Sequence, residues 1–217
     1  AGRMINSPND YDVVIKLIPT KNDNFFVCMR LCSIQDNRFA YRKNVLPTSM
    51  HPSQAALIVS LAKPYLKETA QIMDPFCGVG TLLIERAHLV PAREIYATDT
   101  YGDAITMGRE NAAFAKTRIN FIHRDFFDFR HDYKFDELIT DMPVRNRQTK
   151  AEMELFYERF FDKAAEHLVS GGIIVMYSNE IGFVKKQIRL RVEYRLLQET
   201  CILDKKDFYL FVIRYED

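Results

Sequence analysis

From residue 70 onwards, short β-rich segments alternate with amphipathic helical segments, and this alternation restricts the chain to few folds. Strands are predicted at 71–74, 94–98, 120–123, 137–140 and 173–178, and helices at 81–89, 103–115, 150–168 and 183–190. We expect an α/β, Rossmann-like sheet of seven mostly parallel strands with helices on both faces. No helix separates the last two strands, 193–203 and 208–215, which should form an antiparallel hairpin at the sheet edge.

Two further β-rich runs, 11–18 and 25–32, precede this region and are separated by a turn-forming segment. They predict a β-hairpin, and a helix is predicted to follow at 53–65. We therefore divide the chain into an N-terminal hairpin segment over residues 1–45 and a larger domain over residues 46–217. The sequence Ser170-Gly-Gly172 is expected to end the long helix that begins at residue 150.

The charge balance argues against a uniformly basic nucleic-acid binder. Lys and Arg number 30 and Asp and Glu 29, so any contact with RNA or DNA must come from a local patch or from a separate module. No apolar run reaches the roughly 20 residues of a membrane helix, and the polar first nine residues are unlike a signal peptide. We expect a cytoplasmic protein. Its four cysteines lack metal-ligand spacing, so we interpret them as reduced core thiols and expect no metal.

The loop Asp74-Pro-Phe-Cys-Gly-Val-Gly-Thr81 follows the first strand of the alternating region and opens a helix. Ligands of doubly wound sheets bind at this edge, beyond the carboxyl ends of the strands. Gly78 and Gly80 allow a sharp turn and a close approach to a ligand. Leu83 stands where the dinucleotide fingerprint has a third glycine or alanine, so a dinucleotide is disfavoured.

Three carboxylates are predicted at the ends of neighbouring strands. Asp74 could hold a cationic amino-acid moiety, and Asp99, 21 residues after Gly78, could bind ribose hydroxyls. Asp125 could accept a hydrogen bond from an adenine amino group while Phe126 lines the ring. A single acid of this kind is usually a solvated loop residue, but three at one sheet edge favour a shared binding site.

The loop at 74–81 resembles the first motif of class I S-adenosylmethionine-dependent methyltransferases. It is most similar to the RNA and DNA amino-methyltransferase branch that is associated with THUMP domains, and the resemblance covers about residues 38–217. The hairpin resembles the linker to a THUMP module, and no such RNA-capturing module fits in this chain. The cofactor-binding residues that the motifs and the resemblance together indicate are Ser49, His51, Asp74, Phe76, Cys77, Gly78, Gly80, Thr81, Asp99, Thr100, Asp125 and Phe126. His51 could equally well just end a loop.

A second motif, Asp141-Met-Pro-Val-Arg145, ends the fourth strand of the alternating region, where the family carries (Asn/Asp)-Pro-Pro-(Tyr/Phe). The catalytic residues implied are Asp141, Met142 and Pro143. The Asp141 carboxylate and the Met142 carbonyl would accept the two N–H bonds of an exocyclic base amine, and Pro143 would hold that carbonyl outward. Methyl transfer would then be a direct in-line displacement. The loop has no cysteine nucleophile for cytosine carbon methylation.

This second motif departs from the family in two places. Val144 replaces the aromatic residue that stacks on the base, and Arg145 replaces a glycine. Arg145 or Arg147 could stack on the base instead, or the site could have lost activity. The leading hypothesis is methylation of guanine N2 in tRNA. The alternatives are adenine amine methylation of DNA or RNA, and a degenerate methyltransferase-like RNA-binding protein.

Other side chains carry weaker signals. A basic rim for phosphates could be formed by Arg38, Arg42, Lys43, Arg145, Arg147 and Lys150. Lys185 and Lys186 are interpreted as ordinary surface, and Glu85 as an exposed helix charge. The aromatic residues crowded on the helix at 150–168 are expected to be core rather than a platform for a base.

Overall fold

The computed structural model describes residues 5, 7, 9–31, 37–203 and 207–217. The chain divides into two compact units, Ala1–Phe39 and Ala40–Asp217. In the first unit, strands β1 (Val13–Pro19) and β2 (Phe25–Leu31) pair antiparallel, with Val13 opposite Leu31 and Pro19 opposite Phe25. This confirms the predicted hairpin, although the predicted end of its second strand, Cys32, lies outside the described residues.

The second unit alternates strands and helices as its sequence predicts. It begins with helix α1 (Pro52–Ala62), which a 3-10 turn at Lys63–Tyr65 extends. The elements that follow are β3 (Gln71–Asp74), α2 (Thr81–Leu89), β4 (Glu94–Asp99), α3 (Gly102–Phe114), β5 (Asn120–His123), β6 (Phe135–Asp141), α4 (Lys150–His167), β7 (Leu168–Ser178), α5 (Ile181–Leu190), β8 (Tyr194–Leu203) and β9 (Phe208–Tyr215). The loop after β5 contains a short 3-10 turn, Phe126–Asp128.

The seven strands of this unit form one sheet in the order β5-β4-β3-β6-β7-β9-β8. The first five positions are parallel, and β9 lies antiparallel between β7 and β8. The chain moves from β3 outwards to β5 and then crosses to β6 on the other side. Right-handed crossovers therefore place α2 and α3 on one face and α4 on the other. The predicted fold class, including the antiparallel edge hairpin, is confirmed.

The end of helix α4 differs from the prediction. The helix ends at His167, before Ser170-Gly-Gly172, and Leu168 already has extended backbone angles. Leu168 is fully buried and pairs with Phe135 of β6, so strand pairing rather than the glycines ends the helix. The two glycines lie inside β7, and the parallel register between β6 and β7 shifts between Phe135 and Glu137.

A buried ion pair joins helix α2 to strand β6 in the middle of the sheet. Arg86 of α2 and Glu137 of β6 are almost completely buried, and two N–H groups of the guanidinium donate to the two carboxylate oxygens at 2.9 and 3.0 Å. The same guanidinium donates to the carbonyls of Val90 and Lys67. Charged groups are stable in such a place only when they are paired and fully hydrogen-bonded.

Glu85, next to Arg86, corrects a prediction. It is buried rather than exposed and accepts a hydrogen bond from the Tyr41 hydroxyl. The helical pattern of α2 placed Glu85 at the surface because the pattern contains no information on the segment around Tyr41 that covers this helix.

Phe121 of β5 packs against two glycines from different elements. A Cβ atom on Gly80, which begins α2, would lie 2.8 Å from the Phe121 ring, and a Cβ on Gly108 of α3 would lie 2.5 Å from it. Real side chains do not approach so closely. The ring therefore sets how closely the start of α2 and the middle of α3 approach strand β5, which carries Phe121.

The remaining expectations on the chain as a whole have mixed outcomes. The aromatic residues of α4 are core, as predicted: Tyr157, Phe160 and Phe161 are buried, and Phe156 packs against them. The prediction of core thiols holds for Cys77 but is wrong for Cys28 and Cys201, which are exposed. None of the described helices is both long enough and apolar enough to cross a membrane.

Candidate active site

A cavity of about 590 Å³ opens at the carboxyl ends of β3, β4 and β6. Its volume is within the range of about 300–1,000 Å³ that is usual for small-molecule sites. Asp74, Asp99 and Asp141 each end one of these strands, and all three line the cavity. Arg145 is the one cation among the described residues that line it, so three carboxyl groups face a single cation and a cationic ligand would favour their ionised forms.

Hydrogen bonds hold the loop between β3 and α2 against the end of β4. One oxygen of Asp74 accepts from the Phe76 amide at 3.0 Å, and one oxygen of Asp99 accepts from the Gly78 amide at 2.8 Å. Gly78 and Gly80 have φ angles of 51° and 78°, which other residues rarely adopt. A Cβ on Gly78 would meet no atom within 4 Å. This backbone therefore borders open space that a ligand can fill.

The innermost group of the cavity is the Asp74 carboxyl. Burial raises its pKa from the ordinary value of 3.8 to about 8, and the nearby carboxylates of Asp141 and Asp99 add to the rise. Thr81, which also lines the cavity, has a buried hydroxyl oxygen without a hydrogen-bond partner in the described part of the chain. An ammonium group would satisfy both residues, since it neutralises the carboxylate and donates hydrogen bonds.

Asp74→Asn should stabilise the ligand-free protein and weaken its binding of S-adenosylmethionine, the cofactor that the sequence resemblance implies. A carboxyl whose pKa is raised by folding contributes most stability below about pH 4, and this contribution is lost as pH rises through about 8. Asparagine keeps the acceptor for the Phe76 amide without the buried charge. At pH 8 we expect the free energy of unfolding to rise by roughly 0.5–2 kcal/mol, and the Kd for the cofactor to rise about tenfold.

The measurements for Asp74→Asn are urea unfolding at pH 5 and pH 8, and calorimetric titration with S-adenosylmethionine. The gain in stability should shrink at pH 5, where the parent carboxyl is protonated. A variant that is destabilised equally at both pH values would contradict the assigned burial effect.

Asp99 shapes the loop with both of its carboxylate oxygens. The second oxygen accepts from the Tyr101 amide at 2.9 Å, and Tyr101 itself lines the cavity with its side chain half exposed. The sequence prediction missed Tyr101. The available signal was its position two residues beyond the end of β4, at the edge where ligands bind.

Asp99→Ala should raise the Kd for S-adenosylmethionine by about 10- to 100-fold, because it removes two charge-assisted hydrogen bonds that hold the loop as well as the carboxylate itself. The matched control is Asp125→Ala. Asp125 lies two residues beyond the end of the neighbouring strand β5, where it caps the 3-10 turn by accepting from the Phe127 amide, and it does not line the cavity. Calorimetric titration should show a clearly smaller loss for the control; equal losses would contradict the placement of the site.

The end of β6 and the loop that follows it also line the cavity, with residues Asp141, Met142, Pro143, Val144 and Arg145. The Met142 amide donates to the carbonyl of Tyr177 in β7 at 2.9 Å, and the Met142 side chain is buried in the core. The backbone is thereby anchored immediately after Asp141. Burial raises the pKa of Asp141 from the ordinary value of 3.8 to about 7, so its carboxyl can exchange a proton near neutrality.

The two residues that depart from the family pattern both reach the cavity. Val144 is half exposed, and the guanidinium of Arg145 lies 3.7 Å from the carboxylate of Glu180, which begins α5. Arg147 is exposed and does not line the cavity. Of the two arginines that could contact a substrate base, the geometry favours Arg145.

The structure brings most of the predicted site residues to one cavity and leaves others apart. Those that line it are Ser49, Asp74, Phe76, Cys77, Gly78, Thr81, Asp99, Asp141, Met142, Pro143 and Arg145; those that do not are His51, Gly80, Thr100, Asp125, Phe126 and Arg147. Phe126 is completely buried and packs edge-on against the Phe76 ring, so it belongs to the core. His51 is the N-terminal cap of α1, where its ring accepts from the Ser53 amide.

The cavity also includes residues that the sequence did not single out, among them Leu46, Thr48, Met50, Val79, Leu82, Tyr101, Ala104 and Asn146. Arg42 differs from its predicted role in a phosphate rim. Its guanidinium donates to the carbonyls of Ser49 and Met50 and so supports the cavity wall. The described residues contain no group of three or more His, Cys, Asp or Glu side chains that could hold a metal ion.

Comparisons with known proteins agree with a methyltransferase fold. TrmN from Thermus thermophilus has a structure that superposes with a TM-score of 0.74 at 20% sequence identity, covering 96% of this chain and 61% of that one. The N-methyltransferase NodS from Bradyrhizobium japonicum, solved in complex with S-adenosyl-L-homocysteine, superposes with a TM-score of 0.62 at 14% identity and covers 84% of this chain and 100% of NodS. The fold is that of class I methyltransferases.

The sequence matches the family of RMKL-like methyltransferase domains (UPF0020) over residues 40–200. This chain belongs to that family. It is 32% identical over 187 residues to a tRNA (guanine(10)-N2)-dimethyltransferase of Methanothermobacter thermautotrophicus, which covers 81% of this chain and 54% of the relative. A release factor glutamine methyltransferase of Lactococcus lactis is 25% identical over 155 residues, or 63% of this chain and 56% of that protein. The chain thus spans about half the length of these relatives.

Proposed function

We propose that this chain is the catalytic part of an S-adenosylmethionine-dependent methyltransferase that modifies an exocyclic amine of a nucleobase, with guanine N2 in tRNA as the leading substrate. The observation that carries the proposal is the convergence of Asp74, Asp99 and the Asp141-Met142-Pro143 segment on one cavity. The 1–45 hairpin segment is proposed as a linker to an RNA-capturing module, and residues 46–217 as the catalytic domain.

The cavity fits this cofactor on chemical grounds. The buried carboxyl of Asp74 and the unpartnered hydroxyl of Thr81 suit its ammonium group, and Asp99 stands at a loop that ribose hydroxyls can approach. The open space at Gly78 leaves room beside the backbone. When bound, S-adenosylmethionine supplies an electrophilic methyl group on a positively charged sulfur.

Asp141 and Met142 would activate the amine. The lone pair of an exocyclic amine is delocalised into the base. Accepting its two N–H bonds on the Asp141 carboxylate and the Met142 carbonyl makes the nitrogen pyramidal and aims the lone pair at the methyl carbon. The bound donor would supply the methyl group for the new N–C bond, and its sulfur would keep the S–C electron pair as a neutral thioether. The nitrogen then loses one proton, which a carboxylate of pKa about 7 can accept.

The choice of guanine N2 rests on the named activity of the archaeal relative, and the choice of an amine rests on the site itself. The test is incubation of the full chain with labelled S-adenosylmethionine and unfractionated tRNA, followed by digestion to nucleosides. Label in N2-methylguanosine is the expected result. Label in N6-methyladenosine supports the adenine alternative. Measurable cofactor binding without any label in the tRNA supports the degenerate alternative.

The rate of transfer should rise with pH through about 7 and then level off, because the ionised Asp141 carboxylate is the stronger acceptor of its N–H bond and the form that can take up the proton. The carboxylate fraction changes by about tenfold between pH 6 and pH 8, and the positive charge of the bound cofactor should move the midpoint slightly lower. Single-turnover rates across this range provide the measurement. In Asp141→Asn the remaining activity should lose this dependence; an unchanged profile would assign the titration to another group.

A further inference from the structure

We propose that the groove between the first two turns of α4 and the face of α5 from Gly182 to Arg189, which lies in the last turn of that helix, binds a backbone phosphate of the RNA substrate, next to the target base. This inference rests on the proposed function, because it assumes an RNA at the neighbouring cavity. The groove has a volume of about 390 Å³ and is lined by Lys150, Glu154, Glu180, Gly182, Phe183, Lys186 and Arg189.

The topology places this groove at the catalytic edge of the sheet. Helix α4 follows the loop that leaves β6 at Asp141, and α5 follows the end of β7 at Ser178. Both helices therefore begin at the carboxyl edge of the parallel strands, with their N-terminal ends towards the side where the cavity opens. Helix N-termini carry partial positive charge, which adds to the field of the lining cations.

The charges of the groove leave an excess that a phosphate can use. Glu154 pairs with Lys186 across the groove, and Glu180 pairs with Arg145. Lys150 and Arg189 line the same groove and have no carboxylate within 4.0 Å among the residues that the structure describes. Because both carboxylates of the groove are paired with other cations, Lys150 and Arg189 can bind an anion from solution. Each nucleotide of an RNA carries such an anion, its backbone phosphate.

The Arg145–Glu180 contact joins the groove to the cavity. Arg145 lines the cavity that contains Asp141, whereas Glu180 lines the groove. An RNA strand whose phosphate lay on Lys150 and Arg189 would therefore run beside the contact that leads to Arg145 and the cavity. The formal net charge of the chain is only +1, so a local site of this kind is what an RNA contact by this domain requires.

The test compares RNA binding by Lys150→Gln and Arg189→Gln with binding by the parent chain, using unfractionated tRNA at several salt concentrations. Each variant should raise the Kd about threefold to tenfold near 0.1 M salt and lower the slope of log K against log salt by about 0.7–0.9, the effect of one lost phosphate contact. The Kd for S-adenosylmethionine should not change. The control is Arg118→Gln, an exposed residue before β5 at the opposite edge of the sheet, which should leave both quantities unchanged.

Unchanged salt slopes for both groove variants would overturn the proposal, as would the absence of tRNA binding by the parent chain at low salt. Equal losses for Arg118→Gln would show non-specific charge attraction and would also overturn it. A parent that binds tRNA but transfers no methyl group contradicts the proposed function instead, since the salt slopes do not depend on catalysis. Thermal melting of each variant establishes that the fold is intact.

Discussion

Replacing Asp141 with alanine should lower the rate of methyl transfer by about 10²–10³-fold and leave the Kd for S-adenosylmethionine nearly unchanged. The carboxylate would contact the substrate amine and accept its proton, whereas the carboxyl of Asp74 and the loop held by Asp99 would bind the cofactor. Because the Met142 backbone is anchored independently to Tyr177, the variant should keep the shape of the loop. Removing the Asp141 carboxylate should therefore lower the transfer rate without changing the affinity for the cofactor.

The experiment measures single-turnover transfer at saturating cofactor, together with calorimetric titration of cofactor binding. Asp141→Asn is the matched variant, since asparagine keeps a hydrogen-bond acceptor, and the family tolerates it at this position. It should retain more activity than the alanine variant at neutral pH. Full activity in Asp141→Ala would show that the catalytic group lies elsewhere, and loss of cofactor binding would show that Asp141 belongs to the cofactor site.

The largest loss of stability should come from Arg86→Met, at about 3–5 kcal/mol. Methionine fills a similar volume but leaves the Glu137 carboxylate buried without its cation, and it removes one donor each from the carbonyls of Val90 and Lys67. More exposed pairs such as Lys185–Glu199 have far less effect. The measurement is the chemical unfolding of parent and variant, monitored through intrinsic tyrosine fluorescence.

A double variant, Arg86→Met with Glu137→Met, keeps this prediction testable if the single variant does not fold. Removing both charges should recover most of the lost stability, although the carbonyls of Lys67 and Val90 remain without the guanidinium. A single variant that loses less than about 1 kcal/mol would mean that water or a rearranged side chain satisfies Glu137.

The fold was predictable because its signals are local and regular. β3, α2, β5 and β9 begin and end at the predicted residues. The end of α4 was not predictable, because it depends on the pairing of Leu168 with a strand more than 30 residues earlier in the chain. In the same way, the burial of Glu85 depends on Tyr41, 44 residues away.

The site was predictable where a residue ends a strand of the sheet. Asp74, Asp99 and Asp141 share the cavity because the carboxyl ends of parallel strands meet at one edge. The same rule placed Asp125 and Phe126 there, but the chain turns into a 3-10 segment at that point, so that Phe126 enters the core and Asp125 caps the turn. Arg145 was a candidate on its chemistry alone, and only the three-dimensional arrangement distinguishes it from Arg147.

The position of the loop at 74–81 depends on a side chain that does not line the cavity. The Phe121 ring sits against Gly80 at the start of the first helix after the loop and against Gly108 of the next helix. The space between positions 80, 108 and 121 is therefore filled by the Phe121 ring and has no room for a further side-chain atom. A methyl group at position 108 fits this packing only if the ring at position 121 shifts or is replaced by a smaller side chain. The residue that each of these sites accepts therefore depends on the other, although they lie in different elements and outside the cavity.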